Sequence, residues 1–454
     1  MDFYRPINKF VVSPLYYWRL GDKRLKRLSR IEPVQYWTSE EISQLQFKRL
    51  KKLIRHAYKN TRYYRRVFDE HKFTPEDMHQ LSDIQYLPFL TKNLIQEHLH
   101  DLVAINIPKE RLVQDSLGRT TGKPVTYYKD KEGIKLRSAV EMRHDRWCGW
   151  DLGDQRALVT GAPDNRNAKD GWDSIRERVV IKLVAREINL NAFDLNPGVM
   201  SRYRRILEVH QPTLIQGYAG ALFHFAESLF NQFPDHKIRP KGLISFAEPL
   251  SEEKRSFIER VFKARVLNRY GSKEMGLIAS ECQEQKGLHI NADNLVVEVL
   301  HQDTPIETGE RGDIVVTDLW NYGMPFIRYK IEDVGSLAGI PCPCGRGLPL
   351  LARIDGRSSD FFLSEDGSRI HGEYFTDTFY NHPEVKHFQL IQQEKDLIEL
   401  KVVESTANAK HEYLSELEHQ IKTTLGNQVV LAYSIVDEIA LPPSGRLRTT
   451  FSKV

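Results

Sequence analysis

The spacing of apolar side chains changes several times along the chain, and each spacing predicts a different kind of element. Between residues 40 and 60 they recur every three or four positions, which predicts an amphipathic helix. The apolar stripe of this helix consists of Ile42, Leu45, Leu50, Leu53 and Ile54. From residue 158 to residue 272, short apolar runs alternate with helical stretches at 199–210 and 251–263. This alternation predicts an α/β fold built on a parallel sheet.

The carboxy-terminal part of the chain has a different pattern. After residue 294 the apolar positions predict successive strands, at 295–300 and 312–319. Residues 361–454 then combine strand-like runs with one helical stretch at 411–425 and a final loop. We therefore expect two domains, a large α/β domain over residues 1–357 and a small α+β domain over residues 358–454.

Composition excludes several classes of protein. Apolar residues make up 41% of the 454 residues, enough for a sizeable core, and no run of about 18 apolar residues predicts a membrane span. The first residues lack the apolar core of a signal peptide. Four cysteines are too few for a disulfide scaffold, which favours the reducing cytoplasm. No nucleic-acid-binding motif is found.

Positive charge is concentrated at the amino-terminal end. Residues 1–66 contain 17 Lys and Arg but 5 Asp and Glu, whereas the net charge of the whole chain is +4. Such a basic helical region suits weak association with an anionic membrane surface or another polyanion. The alternative is an ordinary solvated helix surface, and charge alone leaves both open.

One stretch, residues 267–289, contains much of the candidate chemistry. Gly271 and Ser272 predict a turn, and the apolar residues after them predict a helix. Those residues are Met275, Leu277, Ile278 and Ala279. Glu274 would begin this helix, where its carboxylate either caps the helix or binds a metal ion or a ligand hydroxyl.

A second candidate is the loop within residues 116–128, which reads S-L-G-R-T-T-G-K-P-V-T-Y-Y. Its small and hydroxyl-bearing residues let backbone N–H groups approach a phosphate, and Lys123 supplies a further donor. The spacing differs from that of a Walker A loop, which has Ser or Thr after its lysine. The pattern alone is compatible with a phosphate site or a simple turn.

Polar and aromatic side chains follow the expected parallel strands. Tyr218, residues 246–248 and residues 270–274 each come after an apolar run. Because ligands bind beyond the carboxyl ends of parallel strands, we expect these groups to share one crevice. Asp333 is expected after a later strand, either as an acceptor for two vicinal hydroxyls or as a turn residue.

Three thiols and one imidazole form a candidate metal site. Cys282 and His289 are separated by six residues, and Cys342 and Cys344 by one residue in P-C-P-C-G-R. This set of ligands suits tetrahedral structural zinc, with no position left open for catalysis. Spacing alone leaves structural zinc and buried free thiols as equal alternatives.

The motifs together, in their order, resemble those of adenylate-forming enzymes, in the branch of phenylacetate–CoA ligases and capsule-biosynthesis adenylating proteins. Residues 270–274 are similar to the family's Tyr-Gly-x-x-Glu motif, and residues 325–333 to its Pro-x-x-Arg-Tyr-x-x-x-Asp motif. Residues 120–124 match the end of its phosphate loop. The resemblance extends from about residue 45 to the end of the chain, and many members of the branch carry the same Cys and His set.

This resemblance implies a large multi-layer adenylation domain and a small mobile α+β domain. It implies that ATP with Mg²⁺ activates a small-molecule carboxylic acid to an acyl-adenylate, which is passed to CoA or another thiol or amine. The implied nucleotide-binding residues are Thr120, Thr121, Gly122, Tyr270, Gly271, Ser272, Asp333 and Arg357. The implied catalytic residues are Lys123, Glu274 and Arg446; the substrate pocket contains Tyr218, Phe246 and Glu248; and Zn²⁺ is held by Cys282, His289, Cys342 and Cys344.

Two departures from the family pattern keep alternatives open. Residues 117–119, Leu-Gly-Arg, stand where Thr-Ser-Gly is usual, and Arg446 stands where the family's small domain has a lysine. Arginine keeps the charge but is larger and planar, so the exchange is not conservative at a fitted site. The alternatives are a nucleotide- or acyl-binding homologue without catalysis and an acyl transferase that does not use ATP.

Overall fold

The computed structural model describes most of the chain. The described residues are 2–117, 125–160, 180–192, 196–357, 361–372, 374–375, 379, 382–405, 412–439 and 449–454. They divide into two compact units. The large unit comprises Met1–Leu117, Thr126–Ile331 and Gly335–Ile354, and the small unit includes Glu332–Val334 and Asp355–Val454. Within the described residues, no helix is long and apolar enough to cross a lipid bilayer.

The helices of the described residues lie mainly in the large unit. The α-helices are α1 (Tyr4–Ile7), α2 (Ser13–Arg19), α3 (Arg24–Ile31), α4 (Ser39–Asn60), α5 (Arg62–Glu70), α6 (Lys92–Glu97), α7 (Leu99–Leu102), α8 (Lys131–Trp147), α9 (Pro197–His210), α10 (Ala219–Gln232), α11 (Glu252–Phe262) and α12 (Glu412–Leu425). Short 3-10 helices cover Pro33–Tyr36, Pro75–Asp77, Leu81–Tyr86 and Lys109–Arg111, and π-helical turns cover Asn8–Val12 and Val180–Ala185.

The strands are β1 (Leu112–Leu117), β2 (Val125–Asp130), β3 (Arg156–Thr160), β4 (Glu187–Asn191), β5 (Leu214–Tyr218), β6 (Gly242–Phe246), β7 (Arg265–Ser272), β8 (Gly276–Glu281), β9 (Leu288–Ile290), β10 (Leu295–His301), β11 (Thr304–Pro305), β12 (Gly312–Asp318), β13 (Tyr329–Leu337), β14 (Leu350–Arg357), β15 (Phe361–Leu363), β16 (Arg369–His371), β17 (Val385–Glu394), β18 (Leu397–Glu404), β19 (Val430–Ile435) and β20 (Thr450–Ser452). In the described part of the chain, twelve of them form one sheet in the order β11-β10-β12-β13-β14-β9-β8-β7-β6-β5-β3-β4.

One part of this large sheet is parallel, as the sequence predicted. The strands β4, β3, β5, β6 and β7 pair in parallel. Helices α9, α10 and α11 cover them with a continuous apolar core that includes Leu207, Leu222, Phe225, Leu243 and Phe262. Burying both faces of such strands explains why they appear in the sequence as short, almost wholly apolar runs.

The predicted amphipathic helix at 40–60 is confirmed as α4. Thr38 and Glu41 form a capping box at its start, which satisfies two backbone N–H groups that the helix leaves unpaired. Its buried apolar residues are Ile42, Leu50, Leu53, Ile54 and Ala57. The apolar stripe therefore faces the core over most of the helix, as its 3.6-residue period requires.

The predicted helix after Ser272 is wrong. Residues 276–281 form strand β8, which pairs with β7 as an antiparallel hairpin. Gly276 has a φ of +72°, and a Cβ on Gly271 would lie 2.3 Å from the carbonyl oxygen of Gly276. These two glycines thus permit the tight reversal, and the apolar residues of β8 are a strand buried deep in the sheet rather than one face of a helix.

The small unit has its own sheet and core. Four strands pair in the order β19-β18-β17-β20, with β17 and β18 antiparallel and the outer pairs parallel. Helix α12 contributes Leu417, Ile421 and Leu425 to an apolar core shared with Phe388 and Leu400 of the sheet. The described residues of this part of the chain therefore form an α+β unit.

Candidate functional site

The carboxyl ends of three parallel strands lie side by side at one edge of the large sheet. Tyr218, the last residue of β5, pairs in register with Phe246, the last residue of β6. Phe246 in turn pairs with Arg269 of β7. The rings of Tyr218 and Phe246 meet edge to face with centroids 5.6 Å apart. The structure therefore brings together the groups that the sequence placed in one crevice.

Glu248 is fixed at the first turn of α10. Its Oε2 accepts a hydrogen bond of 2.8 Å from the backbone N–H of Gly220. A carboxylate is stabilised there by the positive end of the helix macrodipole. Ala247, just before it, has a φ of +64°, which turns the chain after β6 towards the helix. Glu248 therefore has a structural role beside any contact with a ligand.

The hairpin of β7 and β8 carries the residues of the Tyr-Gly-x-x-Glu motif. Tyr270 and Gly271 lie at an irregularity in the register of the two strands. The Oγ of Ser272 accepts a hydrogen bond of 3.2 Å from the backbone N–H of Met275, which closes the turn. Glu274 therefore lies in a tight hairpin turn, and the capping alternative does not apply.

Glu274 is a buried carboxylate with a defined partner. It is 5% exposed, and its Oε1 accepts a hydrogen bond of 2.9 Å from the phenol of Tyr329. Tyr329 begins β13 and is itself completely buried, with its ring edge to face against Phe326 at 5.3 Å. Tyr329 was not among the residues predicted from the sequence, although it is the Tyr of the Pro-x-x-Arg-Tyr pattern.

A second carboxylate adds to the negative potential near this pair. The Oδ2 of Asp115 accepts hydrogen bonds from the phenol of Tyr127, at 3.2 Å, and from the Nζ of Lys129, at 2.6 Å. Burial, followed by the carboxylates of Asp115 and Glu274, raises the pKa of Tyr127. A region with two carboxylates of this kind attracts a cation, and Lys129 neutralises part of that charge.

Arg328 is a buried structural ion. Its Nη2 and Nε donate to the carboxylate of Glu298, at 3.0 Å and 3.2 Å. Its Nη1 donates to the carbonyl oxygens of Gln85, at 2.8 Å, and Leu87, at 2.6 Å. Its guanidinium lies 4.1 Å from the ring centroid of Phe89. The motif arginine thus attaches residues 81–90 to the central sheet.

Asp333 does not lie where the sequence placed it. We expected it after a strand, whereas it lies within β13 and is half-buried. The residue before it, Glu332, has a φ of +68°, so the strand is locally distorted at this point. The apolar run before Asp333 is followed by further buried residues, Val334 to Ser336, and the Asp-x-Gly pattern does not end the strand.

Several predicted site residues lie outside the described residues. These are Thr120, Thr121, Gly122, Lys123 and Arg446. Arg357 is the last residue of β14, and its side chain is not described. Lys453, a further basic residue just after β20, donates from Nζ to the Oε1 of Gln393 at 2.5 Å.

The cysteine and histidine residues converge on one point in the large unit. One ligand atom from each of Cys282, His289, Cys342 and Cys344 lies within 4.8 Å of the other three. The Sγ atoms of Cys282 and Cys342 are 3.6 Å apart, and Cys344 Sγ is 3.4 Å from His289 Nε2. Three sulfurs and one imidazole at these separations fit around one tetrahedral ion.

Without a bound cation, burial disfavours the charged forms of most of these side chains. Burial raises the pKa of Cys282 to about 12 and, with the charge of Arg346, lowers that of His289 to about 4. Burial also raises the pKa of Cys344, but hydrogen bonds from Arg346 outweigh it and the net shift is downward. The neutral imidazole is the form that binds a metal, and a bound cation would stabilise all three thiolates.

A stacked shell of side chains surrounds the cluster. The guanidinium of Arg346 lies 4.3 Å from the ring centroid of Trp147, and the ring of His289 meets the same tryptophan edge to face at 5.4 Å. Gln35 Oε1 accepts from Trp147 Nε1 at 2.8 Å and from Arg346 Nε at 2.9 Å. These contacts hold the two halves of the cluster, which are distant in sequence, in one arrangement.

Comparison with known proteins finds similarity over most of the chain. Residues 362–453 match the family described as the CapK C-terminal domain. The phenylacetate–coenzyme A ligase of Aromatoleum evansii is 26% identical over 415 residues, which cover 87% of this chain and 91% of that protein. Protein CapK of Staphylococcus aureus is 22% identical over 91% of this chain and 90% of its own length.

A solved structure has the same fold. The crystal structure of 2-hydroxyisobutyryl-CoA ligase in the postadenylation state, in complex with R3-HIB-AMP, matches with a TM-score of 0.65 and 20% identity. The match covers 93% of this chain and 91% of that one. The mixed α/β architecture is therefore that of the adenylate-forming ligases. Over most of its length, the chain is thus similar to phenylacetate–coenzyme A ligases and to CapK.

Proposed function

We propose that the protein is an AMP-forming ligase that joins a carboxylic acid to CoA or to another thiol or amine. In the first step, a carboxylate oxygen attacks the α-phosphorus of ATP, the bond between the α-phosphorus and the bridging oxygen breaks, and pyrophosphate leaves. In the second step, the thiol or amine attacks the acyl carbon and AMP leaves. Positioning and charge stabilisation supply most of the rate enhancement in reactions of this kind.

The observation that carries this proposal is the buried Glu274–Tyr329 pair. A carboxylate that is 5% exposed, with one oxygen held by a phenol, is preorganised to bind a cation through its other oxygen. Glu274 would hold Mg²⁺, which neutralises phosphate charge when bound. Tyr270, Gly271 and Ser272 on the same hairpin would contact the nucleotide.

The remaining nucleotide contacts are proposed from the resemblance. Thr120, Thr121, Gly122 and Lys123 would bind phosphates through N–H, hydroxyl and ammonium groups. Asp333 and Arg357 would contact the ribose, and Arg446 would stabilise the charge that develops at the phosphoryl centre. Asp333 is half-buried within β13, so its carboxylate is partly accessible to a ligand.

The acid would bind beside Tyr218 and Phe246. Their edge-to-face rings offer an apolar wall to the organic part of the substrate. Glu248, held by the N–H of Gly220, would line the same pocket. A negative charge at this position disfavours a second carboxylate on the substrate and favours a hydroxyl or amino group.

We further propose that Cys282, His289, Cys342 and Cys344 bind a structural Zn²⁺. The four ligands would leave no coordination position open, so the ion would hold the chain together and take no part in the reaction. It would link the end of β8, and hence the hairpin of Glu274, to the loop before β14.

We place the domain boundary near residue 357, and a role in surface-polysaccharide biosynthesis rests on the resemblance to capsule-biosynthesis proteins. A cytoplasmic location fits four free cysteines, three of them in the proposed zinc site.

The test is pyrophosphate release from MgATP over a panel of aryl, fatty, amino and sugar acids, with hydroxylamine present to trap any adenylate. We expect release that depends on one class of acid, and loss of at least about two orders of magnitude in Glu274→Gln, which keeps the hydrogen-bond acceptor and removes the charge. ATP binding without release across the panel would favour the non-catalytic homologue. Acyl transfer without ATP would favour the transferase.

The departures at 117–119 and at Arg446 motivate the non-catalytic alternative, and Arg446→Lys addresses it. If arginine has impaired the enzyme, the lysine variant should release pyrophosphate faster than the wild-type protein. An unchanged or lower rate in the variant would mean that arginine is the working residue.

A further inference from the structure

The first helical segment, residues 4–19, is attached to the large unit by its polar side. Asn8 and Ser13 are completely buried. Asn8 Nδ2 donates to the carbonyl oxygens of Leu183, at 2.7 Å, and Val184, at 3.1 Å, and Ser13 Oγ donates to Asn8 Oδ1 at 2.9 Å. Buried polar groups of this kind are satisfied in only one orientation, so the helix cannot roll about its axis without leaving them unpaired.

Further contacts fix the same orientation. Arg5 forms an ion pair with Asp154, and Lys9 with Asp151. Gly153 lies between these partners, with a φ of +91°, and a Cβ there would lie 2.6 Å from the carbonyl oxygen of Arg5. The helix therefore packs against backbone that only a glycine allows to come so close.

Because the polar side faces inward, the apolar side faces solvent. The residues of this apolar face are Phe3, Ile7, Phe10, Val11, Leu15 and Trp18, all exposed. Phe10 is 72% exposed and Trp18 is 77% exposed. An ordinary surface helix has the opposite arrangement, with its apolar stripe against the core. A contiguous row of large apolar side chains on a surface marks a contact with another molecule.

Basic residues follow the apolar face directly. Arg19, Lys23, Lys26 and Arg30, which we call the basic rim, are all exposed. On α3, Lys26 and Arg30 are four residues apart on the outer side, whereas Leu28 and Ile31 are buried. The two helices thus present aromatic and aliphatic side chains next to a row of cations.

We propose that the apolar face and the basic rim dock the protein onto an anionic lipid bilayer. The apolar face would enter the boundary between headgroups and acyl chains, where Trp and Phe are favoured, and the basic rim would meet the anionic headgroups. Charge complementarity selects this occupant. A second copy of the chain, packed face to face by a twofold axis, would bring two basic rims together, and like charges oppose that contact.

The test is co-sedimentation of the full chain with vesicles of neutral phosphatidylcholine or of phosphatidylcholine with about 30% phosphatidylglycerol. We expect binding to the anionic vesicles that weakens as salt is raised, since exposed charges are screened within about 10 Å at 0.1 M salt. Phe10→Ser with Trp18→Ser should lower the partition coefficient at least about tenfold. Val209→Ser with Ile105→Ser is the matched control, because both residues are exposed elsewhere on the large unit, and it should bind as the wild-type protein does.

A second variant tests the rim independently. Lys23→Gln with Lys26→Gln and Arg30→Gln leaves the apolar face intact and should abolish the preference for anionic vesicles. Three results would overturn the proposal. The first is unchanged partitioning of the Phe10 and Trp18 variant, and the second is equal binding of the wild-type protein to neutral and anionic vesicles. The third is a wild-type protein that binds no vesicles but forms a dimer, which the Phe10 and Trp18 variant disrupts. Adenylation activity without lipid is expected to be the same in all variants, so failure of the ligase proposal would be seen separately.

Discussion

The phenol of Tyr329 donates a 2.9 Å hydrogen bond to Glu274, although the two residues are 55 positions apart in the chain. Glu274 lies in the turn between β7 and β8, and Tyr329 begins β13. In the strand order of the large sheet, β14 and β9 pair with each other and lie between β13 and the hairpin of β7 and β8. The fold thus joins two motifs into one buried polar pair.

Tyr329→Phe should weaken the use of Mg²⁺ more than it weakens the fold. Removal of the phenol leaves the Glu274 carboxylate without its orienting donor, and a hydrogen bond to a charged group contributes about 1.5–3 kcal/mol. We expect the Mg²⁺ concentration that gives half-maximal pyrophosphate release to rise about tenfold or more, because about 1.4 kcal/mol corresponds to a factor of ten. Titration of the rate against Mg²⁺ at saturating ATP measures this.

The matched control is Tyr64→Phe. The hydroxyl of Tyr64 is also buried, donating to the carbonyl oxygen of Pro325 at 3.0 Å and accepting from the N–H of Ile327 at 3.1 Å. Loss of this hydroxyl should lower the melting temperature about as much as Tyr329→Phe does, and it should leave the Mg²⁺ dependence unchanged. If the two variants shift the Mg²⁺ dependence equally, Tyr329 supports the fold and does not position Glu274.

Replacement of Arg328 should destabilise the large unit. Arg328→Met leaves the carboxylate of Glu298, which is 12% exposed, without its partner and removes the donor to Gln85 and Leu87. Breaking a fully buried pair costs about 3–5 kcal/mol, and we expect a loss towards the lower end of that range. Arg328→Met with Glu298→Gln should recover part of that loss, because the unpaired charge is gone. Denaturant unfolding measures the free energy of unfolding of the two variants. An equal decrease in both would show that the unpaired charge of Glu298 is not the cause of the destabilisation.

The stability of the small unit should contain a contribution from Asp366. Hydrogen bonds from Ser364 and Ser368 lower the pKa of Asp366 to about 2, below its ordinary value of 3.8. Since the folded-state pKa is the lower one, the contribution is fully present above about pH 4 and disappears as the pH falls towards 2. Wild-type protein should therefore be more stable than Asp366→Asn at pH 6, and the difference should shrink between pH 4 and pH 2. Unfolding curves that stay a constant distance apart over this range would contradict the prediction.

The sequence predicted elements best where local pattern and tertiary burial agree. The stripe of α4 and the apolar runs of β3, β5 and β6 are examples, since a buried helix face and a fully covered parallel strand have different periods. The prediction of a helix after Ser272 was wrong because Leu277, Ile278 and Ala279 form a short apolar run, which suits a buried strand as well as a helix. Only the close approach of Gly271 to Gly276 decides between them, and that contact is a property of the folded hairpin.

Candidate site residues were predictable where their chemistry is unusual. Three cysteines and a histidine in a chain with four cysteines indicated a cluster, and the structure brings their ligand atoms within 4.8 Å of one another. Tyr329 and Asp115 were missed because a tyrosine or an aspartate near a strand end is common. Their significance depends on which side chain lies opposite, and long-range pairing across the sheet determines that.

Metal removal provides the sharpest test of the cluster. We expect purified protein to contain one Zn²⁺ per chain, and removal by a chelator should lower the melting temperature, with recovery when Zn²⁺ is added back. The metal-loaded protein should react slowly with a thiol reagent, and the chelated protein should react faster at Cys344, the partly exposed thiol of the cluster. Cys148 should stay unreactive in both, because it is 2% exposed and burial raises its pKa to about 12.

Cys342→Ser should lose the metal, whereas the control Cys148→Ser should retain it. Fast reaction of Cys344 in protein never treated with a chelator, together with no bound Zn²⁺, would mean that the cluster is a group of free cysteines.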